Sequence, residues 1–187
     1  MTAFDCGAHI GEYTLQFARL VSKGGQVHAF EPDPRVYSFL LFNVAANHLT
    51  NVVTNRLGLS DRETRATFAL QQDATTSSLQ EHAQNPGLHE ITIRTTTLDA
   101  YVRSHHLQRI DALKIDVEGA EAAVLMGASQ VLQRFRPGLI FAECDRSANV
   151  APVKQKLLGA GYTVKLISDD RHLHPHVVAR LGQPACT

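Results

Sequence analysis

Asp5-Cys6-Gly7-Ala8-His9-Ile10-Gly11 is the stretch on which the reading of this chain turns. A short apolar run, Thr2–Cys6, leads into it. A helical pattern follows from Glu12 to Val21, with Tyr13, Phe17, Leu20 and Val21 at helical spacing and Lys23-Gly24-Gly25 as the stop. A glycine-rich turn between a strand and a helix lets a ligand approach the backbone and meet the amides of the helix start. Outward from this point, strand and helix patterns alternate. Gln26–Phe30 reads as a second strand. Asp33-Pro34 then supplies an N-cap and a helix-starting proline, with Val36, Phe39, Leu40 and Val44 as the buried face. Asn51–Leu59 reads as a third strand. Ala120–Phe135 reads as an amphipathic helix, with Val124, Leu125, Ala128, Val131, Leu132 and Phe135 on one face. Leu139–Cys144 is a continuous apolar strand, Val153–Leu158 a helix ended by Gly159-Ala160-Gly161, and Thr163–Ile167 a further strand. Solidly apolar strands alternating with helices imply an α/β fold: a mostly parallel central sheet with helices on both faces.

The middle of the chain departs from this order. Ala66–Leu70 and Ile91–Thr97 read as two extra short strands, so residues 66–97 are expected to form a small inserted β-hairpin, with the polar residues 71–89 as a flap. The whole chain, 1–187, suits one domain. With 44% hydrophobic and 19% charged residues it can bury a core, which excludes a disordered chain. The 18 basic residues balance the 18 acidic ones, and no dense basic run occurs, so nucleic acid is not an expected partner. No apolar run reaches the roughly 18 residues of a membrane span. The opening Met1-Thr2-Ala3-Phe4-Asp5 has no signal-peptide pattern, so a cytoplasmic protein without membrane contact is expected. Cys6, Cys144 and Cys186 form no CxxC, which suits a reducing compartment, and Cys6 and Cys144 read as core packing.

Glu31 stands twenty positions after Gly11, at the end of the second strand. A carboxylate there can accept hydrogen bonds from both ribose hydroxyls of an adenosine-type cofactor. The dinucleotide fingerprint, G-x-G-x-x-G, fails here: counted from Gly7, its second glycine position holds His9 and its third holds Glu12. Glu12 would add negative charge near a pyrophosphate. S-adenosylmethionine carries no phosphate and has a sulfonium cation, so the residues favour it over NAD, and an NAD-dependent oxidoreductase is the disfavoured reading.

The turn resembles the Asp-x-Gly-Ala-Asn-x-Gly motif of FkbM-type S-adenosylmethionine-dependent methyltransferases. The resemblance continues through Phe30-Glu31-Pro32-Asp33-Pro34, Gly58-Leu59-Ser60-Asp61 and Thr97-Leu98-Asp99. Its most specific block is Leu113-Lys114-Ile115-Asp116-Val117-Glu118-Gly119-Ala120-Glu121, and Arg136-Pro137 with the strand ending at Glu143 completes it. His9 replaces the family's usual Asn, a change the turn tolerates because both residue types are enriched at positive φ. Only four residues precede Asp5, where the family usually has more, so a member truncated at its N-terminus is expected.

The resemblance implies a Rossmann-like class I methyltransferase that methylates a small-molecule acceptor, a sugar or secondary-metabolite hydroxyl. It implies that Gly7, Ala8, His9, Gly11 and Thr14 hold the methionine end of the cofactor and that Asp5 orients its amino group. Glu31, with Pro32, takes the ribose; Ser60 and Asp61 flank the adenine; Asp116 closes the methionine side. Asp116, Glu118 and Glu143 ring the place where the acceptor arrives. An inactive or partner-dependent cofactor-binding module is the alternative.

Metal chemistry is weighed separately. Asp116, Glu143, Asp145 and Asn149 offer hard oxygen ligands suited to Mg²⁺, but cofactor contacts for Asp116, and pairing of Glu143 with Lys114 or Arg146, are favoured over a metal. His172, His174 and His176 alternate as a metal-binding strand would, yet Pro175 argues for a surface turn. His105-His106, beside Arg103 and Arg109, reads as a solvated helix end. No metal site is expected.

Overall fold

The structure is a computed structural model, and it describes residues 1–21, 23–70, 89–144, 147–167 and 175–181. Its elements run β1 (Thr2–Cys6), α1 (Glu12–Leu20), β2 (Gln26–Phe30), α2 (Pro34–Ala46), β3 (Val52–Asn55), β4 (Gly58–Leu59), β5 (Thr64–Leu70), β6 (His89–Thr96), α3 (Leu98–Ser104), β7 (Ala112–Ile115) and α4 (Glu121–Met126). A π-helical turn (Val131–Phe135), β8 (Leu139–Glu143), α5 (Ser147–Gly159), β9 (Tyr162–Ile167) and β10 (His176–Leu181) complete the order. The main sheet is seven-stranded in the order β3-β2-β1-β7-β8-β10-β9. Only β10 runs antiparallel, wedged between β8 and β9. A separate three-stranded sheet, β4-β6-β5, contains the antiparallel pair β5 and β6.

The strands pair this way because their apolar residues need cover on two faces. Phe4, Cys6, Phe30, Leu113, Ile115, Ile140, Ala142, Val177 and Ala179 form one continuous core with α3, α4, the π-helical turn and α5. On the opposite face, Ala18 and Val21 of α1 pack on Ala3 and Val27, and Leu40 of α2 packs on Ala8 and Ala29. Asp33 caps α2 by accepting the Arg35 amide, ahead of Pro34 in the first turn, as its sequence signature requires.

Several boundaries differ from the sequence expectation, each for a physical reason. Asn51–Leu59 is not one strand. The chain leaves the main sheet after Asn55 and rejoins the small one at Gly58, where a Cβ would lie 2.9 Å from Ile93 Cδ1. The expected helix Ala120–Phe135 breaks at Gly127, whose missing side chain lets the backbone press on the Ser60 carbonyl and accept the Asp99 amide at 3.0 Å. It restarts as the π-helical turn because Asp99, from α3, accepts the amides of Gln130 and Val131 at 2.9 and 2.8 Å. The helix expected at Val153–Leu158 extends to Ser147–Gly159, with Pro152 inside it. Pro175 precedes a strand instead of preventing one, so His176 opens β10. The flap expected at 71–89 lies outside the described residues except for the backbone of His89, as do His172 and His174.

Candidate active site

The strand order reverses between β1 and β7: β2 and β3 lie to one side of β1, while β7 and β8 continue on the other. Ligands of open α/β sheets bind at the carboxyl ends of the strands at such a reversal. The Asp5–Gly11 stretch leaves β1 at that place. Gly7 takes φ +78°, and a Cβ on it would land on the Asp116 carbonyl oxygen, so the turn passes where only glycine fits. The amides of Gly7 and Ala8 both bond the Phe30 carbonyl, at 3.0 and 2.8 Å, which pins the turn to the end of β2. His9 holds φ 51° and sends its amide to Glu31 Oε2 at 2.9 Å.

Glu31 is 7% exposed, and its second oxygen accepts the Asp33 amide at 2.8 Å. Burial pushes this carboxyl up to about 7, against the pull of the Asp33 and His9 amides. Each oxygen thus has one backbone donor and keeps lone-pair capacity for another.

Behind the turn lies a buried charge relay that runs from α1 to the cleft. Thr14 donates to Asp5 Oδ2 at 2.6 Å, and Asp5 is fully buried. Lys114 Nζ lies 3.3 Å from Asp5 Oδ1 and 3.2 Å from Asp116 Oδ2. The same ammonium donates to the Gly7 carbonyl at 2.8 Å, so one hydrogen bond and two ion pairs hold it. Burial pulls the lysine toward neutrality, but Asp5 and Asp116 more than reverse this and hold it above the ordinary ammonium range. The Tyr13 ring, 5.1 Å from Nζ, closes the other side.

A cleft opens above these groups. Of the expected site residues it brings together Gly7, Ala8, His9, Glu31, Pro32, Asp116 and Glu118. Asp5 and Thr14 stand behind the wall as its buried support. Gly11, at φ +97°, turns the chain into α1. Ser60 and Asp61 do not line the cleft: Ser60 bonds the Thr96 carbonyl at 3.0 Å, and Asp61 pairs with Arg62 at 2.9 Å. The wall expected from them is supplied by Leu57, Gly58 and Leu59, with Phe68 from the small sheet. Glu143 ends the next strand and faces His176 at 3.3 Å; of the two partners expected of it, Lys114 is engaged with Asp5 and Asp116, and Arg146 lies outside the described residues.

Sequence reasoning missed Lys114, although a lysine inside Leu113-Lys114-Ile115 signals a buried charge that needs partners. It also missed the apolar wall: Gly58-Leu59 stands in a family block and Phe68 in an expected strand, but nothing local turns them toward the cleft. Asn149, weighed as a metal ligand, donates instead to the Gly119 carbonyl and Glu121 Oε2, both at 3.2 Å. Asp145 lies outside the described residues, and among those described no three His, Cys, Asp or Glu side chains converge as a ligand set.

The donor set fits S-adenosylmethionine better than a dinucleotide. Among the described residues, Glu12, Glu31, Asp116 and Glu118 line the cleft, against the single lysine Lys114, which is already engaged with two carboxylates. Such a surface attracts a ligand carrying a sulfonium and an ammonium and repels a pyrophosphate. The apolar wall suits the face of an adenine.

Comparison with known proteins agrees with this geometry. Residues 5–164 match the family model described as the methyltransferase FkbM domain. The hexuronic acid methyltransferase AglP of Haloferax volcanii is 30% identical over 130 residues, covering 70% of this chain and 51% of that protein. The crystal structure of methyltransferase FkbM from Methylobacillus flagellatus superposes with a TM-score of 0.69 at 18% identity, over 95% of this chain and 43% of that one. Aeropyrum pernix fibrillarin, solved with natively bound S-adenosyl-L-methionine, shares the fold with a TM-score of 0.57 at 17% identity, over 95% of this chain and 65% of that one. The chain spans between about half and three quarters of the length of the curated relatives it matches, 51% to 74%. A family match running from the glycine turn into β9, on a sheet whose reversal point carries that turn, has one conclusion: this chain belongs to the methyltransferase FkbM domain family.

Proposed function

We propose that the chain is an S-adenosylmethionine-dependent O-methyltransferase whose acceptor is a sugar or secondary-metabolite oxygen. One observation carries the reading: the buried Glu31 carboxylate at the end of β2, with one backbone donor on each oxygen and capacity for two more, beside a turn that lacks the glycines of a pyrophosphate site. When bound, the cofactor supplies a methyl group on a positively charged sulfur. Glu31 would accept the two ribose hydroxyls, and the Leu57–Leu59 segment with Phe68 would cover the adenine. The Gly7–His9 turn would hold the methionine end, supported from behind by Asp5 and Thr14. Asp116 is already in contact with the Lys114 ammonium, so it serves to orient the cofactor and keep the cleft acidic. Methyl transfer is an in-line displacement, for which positioning supplies much of the acceleration. Glu118 lines the cleft, where the acceptor would enter, and Glu143 would stand beside it at the end of β8.

The oxygen acceptor is supported by the family and by the name of the Haloferax relative, since a hexuronic acid offers hydroxyl and carboxylate oxygens as nucleophiles. The test is transfer of a labelled methyl group from S-adenosylmethionine to a panel of hexose and hexuronic acid glycosides. Label appearing as an O-methyl product supports the reading. Label transferred only to amines or thiols contradicts the oxygen assignment, and cofactor binding without transfer to any acceptor favours the inactive-module alternative.

A further inference from the structure

Beyond the cofactor cleft, one pair of titratable side chains at the same end of the sheet has no part in the scheme above. Glu143 and His176 are direct cross-strand partners on β8 and β10, with His176 Nε2 3.3 Å from Glu143 Oε2. The His176 ring also stacks on Phe141, centroids 5.2 Å apart and planes 27° from parallel, so ring position is fixed from two directions. Both side chains keep about a quarter of their surface open, 25% and 29%. Among the described residues the imidazole has no other polar partner, which leaves Nδ1 available.

Their register puts them beside the cleft. Lys114 pairs with Phe141, and Phe141 with Val178, so these side chains rise on one face of the sheet. Two residues along, Glu143 and His176 are direct partners on that face, and Asp116 follows the end of β7 beside them. Adjacent strands lie about 4.8 Å apart, so Glu143 stands roughly 5 Å and His176 roughly 10 Å from Asp116 along the sheet edge. Asp116 and Glu118 line the cleft just past β7, and Glu143 and His176 stand on β8 and β10, the next strands along the same sheet edge.

We propose that His176 is the general base of the methyl transfer and that Glu143 positions it. This rests on the methyltransferase reading above. Asp116 is a poor candidate for the base because Lys114 already holds it as an ion pair. In the step, the acceptor hydroxyl gives its proton to His176 Nδ1 as its oxygen forms a bond to the methyl carbon. The carbon–sulfur bond breaks, and its electron pair stays on sulfur, neutralising the sulfonium. The imidazolium so formed is stabilised by the Glu143 carboxylate, the carboxylate–histidine logic of many acid–base sites. Among the described residues the charged groups on this side of the sheet near His176 are Glu143 from β8 and, farther off, Lys114 from β7 and Asp116 just past it; β9 presents Ile167 opposite His176 and Lys165 two positions on.

The first test needs no acceptor. In ¹⁵N-histidine-labelled protein, with the His176 signal assigned by its loss in His176→Gln, the neutral ring should carry its proton on Nε2. That preference should persist in Glu143→Gln and vanish in Glu143→Ala. A ring protonated on Nδ1, or sampling both tautomers in wild type, overturns the proposal. The second test compares His176→Gln with wild type. S-adenosylhomocysteine affinity should stay within about twofold, while kcat on any glycoside that wild type methylates should fall roughly 10²–10⁴-fold. Unchanged kcat overturns the base assignment even if the tautomer is as expected. Failure of wild type itself to bind S-adenosylhomocysteine sinks the cofactor reading instead, a result read separately from the tautomer.

Discussion

Glu31 is a carboxylate that the fold makes costly to ionise, and that cost gives it a measurable signature. In the free protein, burial pushes it up to about 7, and the Asp33 and His9 amides reverse only part of the effect. Two ribose hydroxyls donating to it would stabilise the anion. Cofactor binding below pH 7 should therefore expel a proton, so affinity rises as pH approaches 7 and levels off above it. Calorimetry in buffers of different ionisation enthalpy should detect the released proton at pH 6 and none at pH 8.5. In Glu31→Gln the proton release should vanish and binding should weaken by roughly 1.5–3 kcal/mol. Proton release that survives in Glu31→Gln would move the titrating group elsewhere.

Among the elements, the least local one is the π-helical turn Val131–Phe135, which is begun by a carboxylate from another helix. Asp99 accepts the Gln130 and Val131 amides, doing for that turn what an N-cap residue does for its own helix. Asp99→Ala should cost about 1–2 kcal/mol in urea denaturation, with cofactor affinity kept because Asp99 lies off the cleft. A stability loss within error would mean the turn is set by Leu132 and Val131 burial alone. This element also marks where sequence reading ends. Thr97-Leu98-Asp99 is visible as a block, and the apolar face of 120–135 has helical spacing, but nothing local says that Asp99 reaches across to restart the helix. The same holds for Leu57–Leu59, whose role as cleft wall depends on where the chain crosses between two sheets. Gly7, His9 and Glu31 were legible because their chemistry is local: a turn that excludes side chains, a positive φ, and a carboxylate at a strand end. Lys114 was missed because its partners come from β1, the Gly7 turn and Asp116 just past β7, which nothing local to its strand announces.

Across the whole molecule, two buried titratable groups give the stability opposite pH dependences. His28, 2% exposed and bonded through Nδ1 to the Tyr101 hydroxyl at 2.8 Å, is pulled down to about 4 by burial, with His105 adding to the effect. Unfolded, it takes up a proton near its ordinary 6.5, so the stability it supports is present above 6.5 and is lost as pH falls toward 4. Glu31 acts in the reverse sense: the folded carboxyl holds its proton up to about 7, and stability grows as pH falls from there toward 4.5. Each is worth up to about 3 kcal/mol, and between pH 6.5 and 4.5 they largely cancel. Chemical denaturation of wild type and Glu31→Gln side by side should accordingly show wild type gaining stability relative to the variant as pH falls from 7 toward 4.5, and a pH-independent difference would remove Glu31 as the cause. Thermal denaturation with S-adenosylhomocysteine or NAD in parallel tests whether the cleft takes an adenosyl ligand without phosphate. At 100 times its dissociation constant a ligand stabilises the fold by about 2.7 kcal/mol, which for a domain of this size is roughly 5–10 °C in Tm. S-adenosylhomocysteine should raise Tm by that amount and NAD should leave it unchanged; a shift with NAD equal to or greater than that with S-adenosylhomocysteine would contradict the account.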